Sequence, residues 1–350
     1  MRTLRRPHGA PCRVLPVRRP RGGVGVSAAG QRRPVVSVII PAFNAERVLG
    51  LQLDSLADQD GAPAYEVLVV DNNSTDGTAA LVRDRTPAFP VPLRLIRAAE
   101  HQGPGYARNV GVARARADLL LFADADDVVS RWWVRNGAQA FESSDLWSGG
   151  AVLMTDEQMA QDLAGIRAAL GDVDEWTGVE PGDLTNAFPV VMGCDFGMTR
   201  AAYERVGGFD VSLGTVYEDN DLGVRAQLAG LTVDSAPTVR IAYRGKWDVR
   251  LRARLARRSA RSHALVAARY GLRSRSHLPS PWRELPRALG SATLMVLGRK
   301  TPDWAGAWIR ANTAVGHAVG RLQTRLPGAV EPASVGVGLD AGPEMEETRA

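Results

Sequence analysis

The sequence predicts an α/β fold: a mostly parallel central sheet flanked by helices, followed by a helical C-terminal extension. Three observations carry that expectation. The runs "VVSVII", "YEVLVV" and "DLLLFA" are apolar at nearly every position, as in strands buried on both faces. Segments with helical spacing of apolar residues separate them, which is the βαβ pattern. Each run stops in a polar or acidic turn, and in such sheets ligands sit beyond the carboxyl ends of the strands.

The elements follow in order. "PVVSVIIPAFN" (34–44) opens the sheet; Val35 to Ile40 is β-branched apart from Ser37, and Pro41 is expected to stop the ladder. A helix is expected in 45–59, with apolar residues at Val48, Leu49, Leu51, Leu53 and Leu56 mostly at helical spacing. "YEVLVVDNNSTDGT" (65–78) is a second strand and turn, with Asp76 placed to cap the next helix. "PLRLIRA" (92–98) is a third strand, and 103–115 a helix entered through glycines. "DLLLFA" (118–123) is the fourth strand. Beyond it, 155–187 reads as loops with a helix and 188–200 as a strand. A short helix over 201–210 ends in a Gly pair. The helix 218–230 carries acids in its first turn. Residues 231–243 read as a hairpin or two strands, and 282–323 as two helices.

Bulk properties bound the function. With 350 residues and 45% hydrophobic content, the chain affords a large core, and wholesale disorder is excluded. The net charge of +5 is concentrated at the start: residues 1–33 hold nine Arg and no acid, so the remainder nets −4. That leader reads as disordered, and its "GVGVSA" follows no strand, so it is not taken as a dinucleotide loop. Two cysteines, Cys12 and Cys194, fit a reducing compartment rather than a disulfide framework. With no secretory leader and no apolar stretch long enough to span a bilayer, a cytoplasmic protein is expected. From Arg240 to Arg275 there are twelve Lys/Arg against Asp248 alone. Its 250–275 part reads either as a solvated face or as peripheral contact with the inner face of a membrane. Nucleic acid is not an expected partner: no recognised module is present and aromatics are only 6%. The expected organisation is a leader (1–33), an α/β domain (34–245), a basic helical extension (246–326) and a disordered acidic tail (327–350).

The chemistry concentrates in "FADADD". In an extended segment, side chains two apart share a face, so Asp124 and Asp126 converge while Asp127 points elsewhere or caps the next helix. Two close carboxylates call for compensation. Hard oxygen ligands favour Mg²⁺ or Mn²⁺, and a solvated turn is the plain alternative. "DNNSTDGT" is not an EF-hand loop: counted from Asp71 the glycine falls at position 7, and counted from Asn72 position 12 is Arg83. Asp71, at a strand end, can accept from a base edge or a ribose hydroxyl.

Taken as an ordered set, "VSVIIPAFNAE", "EVLVVDNNSTDGT", "GPGYARNVGVARARADLLLFADADD" and "VGGFDVSL…YEDNDLGVRAQLAG" resemble the family 2 glycosyltransferases of the GT-A fold, over roughly residues 35–245. The resemblance implies transfer of a sugar from a nucleotide-diphosphate sugar, commonly UDP-linked, to an acceptor hydroxyl with inversion. The acceptor class stays open among glycan, lipid-linked and small molecules. It divides the domain into a donor half (34–127) and an acceptor half (128–245). It implies nucleotide-sugar contacts from Pro41, Phe43, Asn44, Glu46, Asp71, Asn73, Arg108 and Asp124, with Asn109 beside Arg108 in the same motif. Phe43 has core packing as its alternative, and Arg108 simple pairing with a carboxylate. Asp124 and Asp126 match the family's DxD, with Asp126 as the direct metal ligand. "YEDND" matches its ED motif, which implies Asp219 as general base with Glu218 and Asp221 as neighbours; dipole-stabilising acids are the alternative. Asp195 stands where the family often has Asn, and "VRIAYRGKW" offers Tyr243 and Arg244 where some relatives have a metal-binding His. Arg244 or Lys246 is a candidate for the diphosphate. Two other functions compete: a non-catalytic nucleotide-sugar-binding scaffold, and a nucleotidyltransferase, for which "PAFNAE" lacks a glycine-and-basic phosphate loop.

Overall fold

A computed structural model describes residues 33–340. All of the leader but Arg33, with Cys12 and "GVGVSA", lies outside the described residues, as does the end of the tail.

In chain order the elements are β1 (Val36–Ala42), α1 (Leu49–Ala57), β2 (Tyr65–Asp71), α2 (Thr78–Arg85), β3 (Leu93–Arg97), α3 (Pro104–Arg114) and β4 (Leu119–Ala123). Then come β5 (Val128–Val129), α4 (Trp133–Ala140), β6 (Leu146–Met154), α5 (Asp156–Met159), α6 (Leu163–Leu170), β7 (Asp195–Thr199), α7 (Arg200–Val206), α8 (Glu218–Leu228) and β8 (Asp234–Arg244). Three long helices close the described chain: α9 (Val249–Arg269), α10 (Pro281–Val296) and α11 (Trp304–Gln323).

The strands form one sheet in the order β3-β2-β1-β4-β7-β6-β8-β5. β3, β2, β1 and β4 run parallel to one another, β7 is antiparallel to both β4 and β6, and β8 is parallel to β6. The continuous apolar runs are explained by their two-sided burial. Val36, Val38 and Ile40 of β1 pack in one core with Leu49, Leu53 and Leu56 of α1. Ile39, from the opposite face, packs in a second core with Val110 of α3. Pro41 does not stop β1, which runs on to Ala42. Pairing with β4 is complete by Ile39, leaving β2 as the partner, so a missing N–H there is tolerated.

β6 and β8 differ from expectation, as does the short β5. β6 has no counterpart among the expected strands because Gly149 and Gly150 break its pattern. Gly149 is required by space: a Cβ there would lie 2.2 Å from Asp195 Oδ2 and 2.6 Å from Val239 O. Residues 231–243 give a single strand, β8, not a hairpin. Its pairing with β6 jumps from Ser148↔Ser235 to Gly150↔Arg240, so Pro237 falls in the irregular stretch where no ladder N–H is needed.

The C-terminal helices attach to the sheet domain through an apolar cluster, in which Val266, Ala267 and Leu272 pack with Phe188, Leu213 and Val224, and through polar contacts to α8 and its approach. The Tyr217 hydroxyl meets His263 Nδ1 at 2.5 Å, Tyr270 donates to Asp221 (3.0 Å), and Arg269 pairs with Asp210 (2.5 Å). α11 packs close on α9: a Cβ at Gly316 would sit 2.0 Å from Arg257 O. The expectation of disorder from residue 327 is corrected for the last described stretch. Ser334 N donates to Asp210 (2.8 Å), Gly336 N to Gly207 O (2.7 Å), and Asn109 Nδ2 to Val337 O (2.8 Å). Val337 and Leu339 join the α3 core. The acidic composition belongs mainly to residues beyond 340, whereas "SVGVGL" has apolar side chains to bury.

Candidate active site

The carboxyl ends of β2, β1 and β4 lie side by side, with Ala42 opposite Asp71 and Ile39 opposite Phe122. Neighbouring strands are about 4.8 Å apart, so Asp71 and Asp124 stand on one rim, two strands from each other. The loops after β1 and β2 are laced together. Asn44 Oδ1 accepts from Thr75 N (2.8 Å), Glu46 Oε2 from Gly77 N (3.0 Å), and Glu46 N donates to Asp76 (3.1 Å). Asn44 and Asn73 hold left-handed backbone, φ 50° and 65°, tolerated by their short amide side chains. The side chains of Asn44 and Glu46 are thus committed to shaping the rim. Asp76 caps less directly than expected, accepting from Thr78 N at 3.0 Å and fixing the turn into α2. Phe43 is 54% exposed, which removes core packing as its explanation. Asp71 accepts from Ser74 N (3.1 Å), and Asn73 donates to Ala99 O (3.0 Å).

Asp124, Asp126 and Asp127 bring one oxygen each within 4.8 Å of one another. All three belong to the cluster, and Asp127 caps no helix; it accepts from Arg244 N at 2.9 Å. Asp124 and Asp126 converge as expected, but Asp127 joins them rather than pointing elsewhere, because 125–127 form a turn, not an extended strand. Burial, then Asp126 and Asp124, hold the Asp127 carboxyl well above the usual range. Its Oδ2 is buried without a hydrogen-bond partner. A compact set of hard oxygens, one of them buried and unbonded, fits a divalent cation such as Mg²⁺ or Mn²⁺. Lys246 Nζ lies 2.5 Å from Asp126 Oδ2, and Arg244 Nε donates to Asp126 O (3.1 Å). Burial works against the Lys246 charge, but the attraction of Asp126 raises its pKa.

Arg108 joins this cluster to the start of α8. Its Nη2 donates to Asp124 Oδ1 (2.8 Å) and Gly193 O (3.0 Å), and its Nη1 to Glu218 Oε1 (3.3 Å). The guanidinium lies 5.2 Å from the Phe209 ring centroid. α3 can bring it there because Gly111 rides on the sheet; a Cβ would lie 2.5 Å from Ile39 Cγ2. Burial opposes the Arg108 charge, but Asp124, Glu218 and Asp219 raise its pKa. Asn109, its motif partner, turns away: its amide bonds Phe209 N and O, the Tyr203 hydroxyl and Val337 O.

α8 begins after Tyr217, a buried non-glycine residue at φ +79°. Burial and Asp219 push the Glu218 carboxyl up to about 7, against the pull of Arg108. Asp219 is half-buried. Its Oδ2 accepts from Gly193 N (3.2 Å), and its Oδ1 from Asn220 N (2.7 Å) and Nδ2 (2.9 Å). Asp221 points away into an ion pair with Arg225 (2.7 Å). Asp195 lies fully buried in β7, accepting from Trp133 Nε1 (2.8 Å), and burial holds its carboxyl well above the usual range.

Sequence reasoning missed Gly193, whose carbonyl accepts from Arg108 while its N–H donates to Asp219; a backbone contact leaves no side-chain signal. It also missed Asn72, whose buried amide bonds Ala98 O, His101 O and Gly103 N, anchoring the entry to α3.

Residues 37–156 match the family model for glycosyl transferase family 2. An uncharacterized glycosyltransferase of Bacillus subtilis, YfnE, is 37% identical over 109 residues, 31% of this chain. The match spans only 27% of that relative's length. Among solved structures, a mannosyltransferase from Pyrobaculum calidifontis in complex with GDP-Man and Mn²⁺ has a TM-score of 0.54 at 22% identity, covering 83% of this chain and 87% of its own. Residues 1–349 of Staphylococcus aureus TarS in complex with UDP-GlcNAc have a TM-score of 0.51 at 17% identity, covering 83% of this chain and 91% of that fragment. At these identities the likeness establishes the fold.

Proposed function

Because residues 37–156 belong to glycosyl transferase family 2 and the chain has the GT-A fold, we propose that it transfers a sugar from a nucleotide-diphosphate sugar to an acceptor hydroxyl, with inversion. The observation that carries the reading is Arg108. One buried guanidinium touches both Asp124 and Glu218, so the rim of the first four strands and the first turn of α8 meet around one side chain.

Each part has a role. Pro41, Phe43, Asn44, Glu46, Asp71 and Asn73 form the nucleotide wall, with the exposed Phe43 ring and the Asp71 carboxylate facing the base and ribose. Asp124 and Asp126, with Asp127 behind them, would hold Mg²⁺ or Mn²⁺. When bound, that ion neutralises charge on the leaving diphosphate. Lys246 and Arg244 add cationic groups on the same side. Asp219 takes the acceptor proton as the hydroxyl oxygen bonds to the anomeric carbon and the bond from that carbon to the diphosphate breaks. The Gly193 and Asn220 N–H groups fix its orientation. Glu218 and Arg108 set the field around it. The donor half is 34–127 and the acceptor half 128–245. Fold relatives in complex with GDP-Man and UDP-GlcNAc make both UDP and GDP sensible probes; a UDP-linked donor is the first choice.

Calorimetric titration with UDP and GDP, with and without Mn²⁺, combined with a turnover assay over a donor and acceptor panel, tests this. Asp126→Asn is expected to lose Mn²⁺-dependent nucleotide binding. Asp219→Asn is expected to keep nucleotide binding and lose turnover by about 10²–10⁴-fold. Full turnover in Asp219→Asn would remove the base; nucleotide binding indifferent to both Mn²⁺ and Asp126→Asn would remove the metal site.

A further inference from the structure

α8 opens on a residue that the backbone disfavours. Tyr217 holds φ +79°, a left-handed conformation that a bulky side chain keeps only where its surroundings enforce it. A glycine would sit there freely. The enforcement comes through the side chain, which is buried. Tyr217 occupies the N-cap position but makes no side-chain cap; its hydroxyl is used elsewhere. Its carbonyl accepts from Asp221 N (3.0 Å) and closes the first turn of α8. Glu218 and Asp219 are the next two residues. The direction in which Tyr217 delivers the chain to α8 therefore sets where both carboxylates point.

Much of what holds Tyr217 belongs to α9 and the segment after it. The hydroxyl meets His263 Nδ1 at 2.5 Å, with the two rings edge to face and their centroids 5.5 Å apart. His263 is 1% exposed, and its Nε2 meets Ser276 Oγ (2.7 Å), which also accepts from Leu278 N (3.3 Å). Both imidazole nitrogens are bonded, so the ring is fixed between Tyr217 and the α9–α10 connection. Val266, Ala267 and Leu272 pack in the same apolar cluster as Tyr217. Arg258 donates to Thr215 Oγ1 (3.1 Å), a second tie from α9 to the approach to α8. Neither Tyr217 nor His263 falls within the family-matched residues 37–156.

We propose that His263 is a positioning residue for Asp219: by holding the Tyr217 hydroxyl, α9 locks the left-handed entry to α8 and so fixes the aim of the base. The inference deepens the reading of Asp219 as base and rests on it. His263 acts on the reaction only through Tyr217. A glycine at 217 would enter α8 without strain, but α9 would then have nothing to hold. The basic helical extension is on this account part of the working site, because it supplies the lock.

Two variants break the same link. Tyr217→Phe keeps the ring and removes the hydroxyl; His263→Leu keeps an apolar filling and removes both ring nitrogens. In each, hydrogen–deuterium exchange over 217–228 is expected to quicken by about five- to tenfold, the effect of one lost hydrogen bond. Exchange in β1, β2 and α3 should stay at the parent rate. Calorimetric binding of UDP or GDP with Mn²⁺ should match the parent. With the donor and acceptor that the parent turns over, kcat is expected to fall by about 10–100-fold at unchanged donor KM, the scale of a misplacement near 1 Å. The double variant should lose no more than the more affected single variant, because both changes cut one connection. Should His263→Leu not fold, Tyr217→Phe carries the exchange, binding and kinetic measurements alone. Unchanged exchange over 217–228 overturns the proposal, whatever the turnover. So does a fall in turnover matched by an equal loss of nucleotide binding, or a double variant in which the two losses multiply. A parent that turns over no donor fails the glycosyl-transfer reading instead, while the exchange measurement still decides whether His263 locks the turn.

Discussion

Replacing Glu218 with glutamine changes the electrostatics of the cleft with almost no change in its shape. Glu218 is 6% exposed, and its carboxyl is pushed up to about 7 by burial and by Asp219, against the attraction of Arg108. An acid whose folded pKa lies above its unfolded value holds its proton more tightly when folded. Stability is then fully present at low pH and is lost as pH rises from the unfolded value of 4.5 through about 7. Between pH 4 and pH 8 the loss is about 3 kcal/mol, because each pH unit between the unfolded and folded pKa values removes roughly 1.4 kcal/mol. Glutamine does not titrate, so Glu218→Gln removes this dependence whatever constant offset follows from its altered bond to Arg108. Urea unfolding of both proteins at a series of pH values, in chelator, measures it. The difference in unfolding free energy should move toward the variant by about 3 kcal/mol from pH 4 to pH 8. A difference that is flat across that range, or moves the other way, refutes the claim that burial outweighs Arg108 at this carboxyl.

Two further predictions concern buried residues. A Cβ at Gly197 would lie 2.2 Å from Trp147 Cζ2 and 2.8 Å from Phe141 Cζ. Gly197→Ala should therefore cost about 1–3 kcal/mol, a fall of several degrees in Tm by calorimetry; an unchanged Tm would mean the rings yield freely. Burial, then His277 and His317, lower the His263 pKa to about 3. Stability from its neutral ring is present above pH 6.5 and lost as pH falls toward 3, about 3 kcal/mol between pH 6.5 and 4. His263→Gln should remove that acid loss, read as the difference between the two urea-unfolding profiles; identical pH profiles would contradict it.

What can be read in advance follows from how each element is stabilised. β1, β2 and β4 are buried on both faces, so burial itself wrote an unbroken apolar run into the sequence. β6 is different: Gly149 is there to admit Asp195 and Val239 O, and Trp147 stands against Gly197. Those are tertiary demands with no local periodicity. The same holds at the site. Asp124 and Asp126 are legible as a pair, and the first-turn acids of α8 as a group. That Asp127 joins the cluster depends on a turn whose geometry two-residue spacing does not describe. That Arg108 links the groups depends on α3 lying against Gly193, 85 residues away. The motif points Asn44 and Glu46 at a ligand, yet much of their bonding capacity goes to the neighbouring loop, a use that composition cannot distinguish.

The strap formed by residues 334–339 has a consequence for biosynthesis. Asn109, next to Arg108, takes one of its bonds from Val337, 228 residues further on. A ribosome adding about 5–20 residues per second needs about 10–50 seconds to bridge that interval. Until the strap emerges, the part of the α3 core that Val337 and Leu339 cover stays open, so a nascent chain that has already placed Tyr203 and Phe209 against α3 still shows a patch of unfinished core to chaperones and proteases.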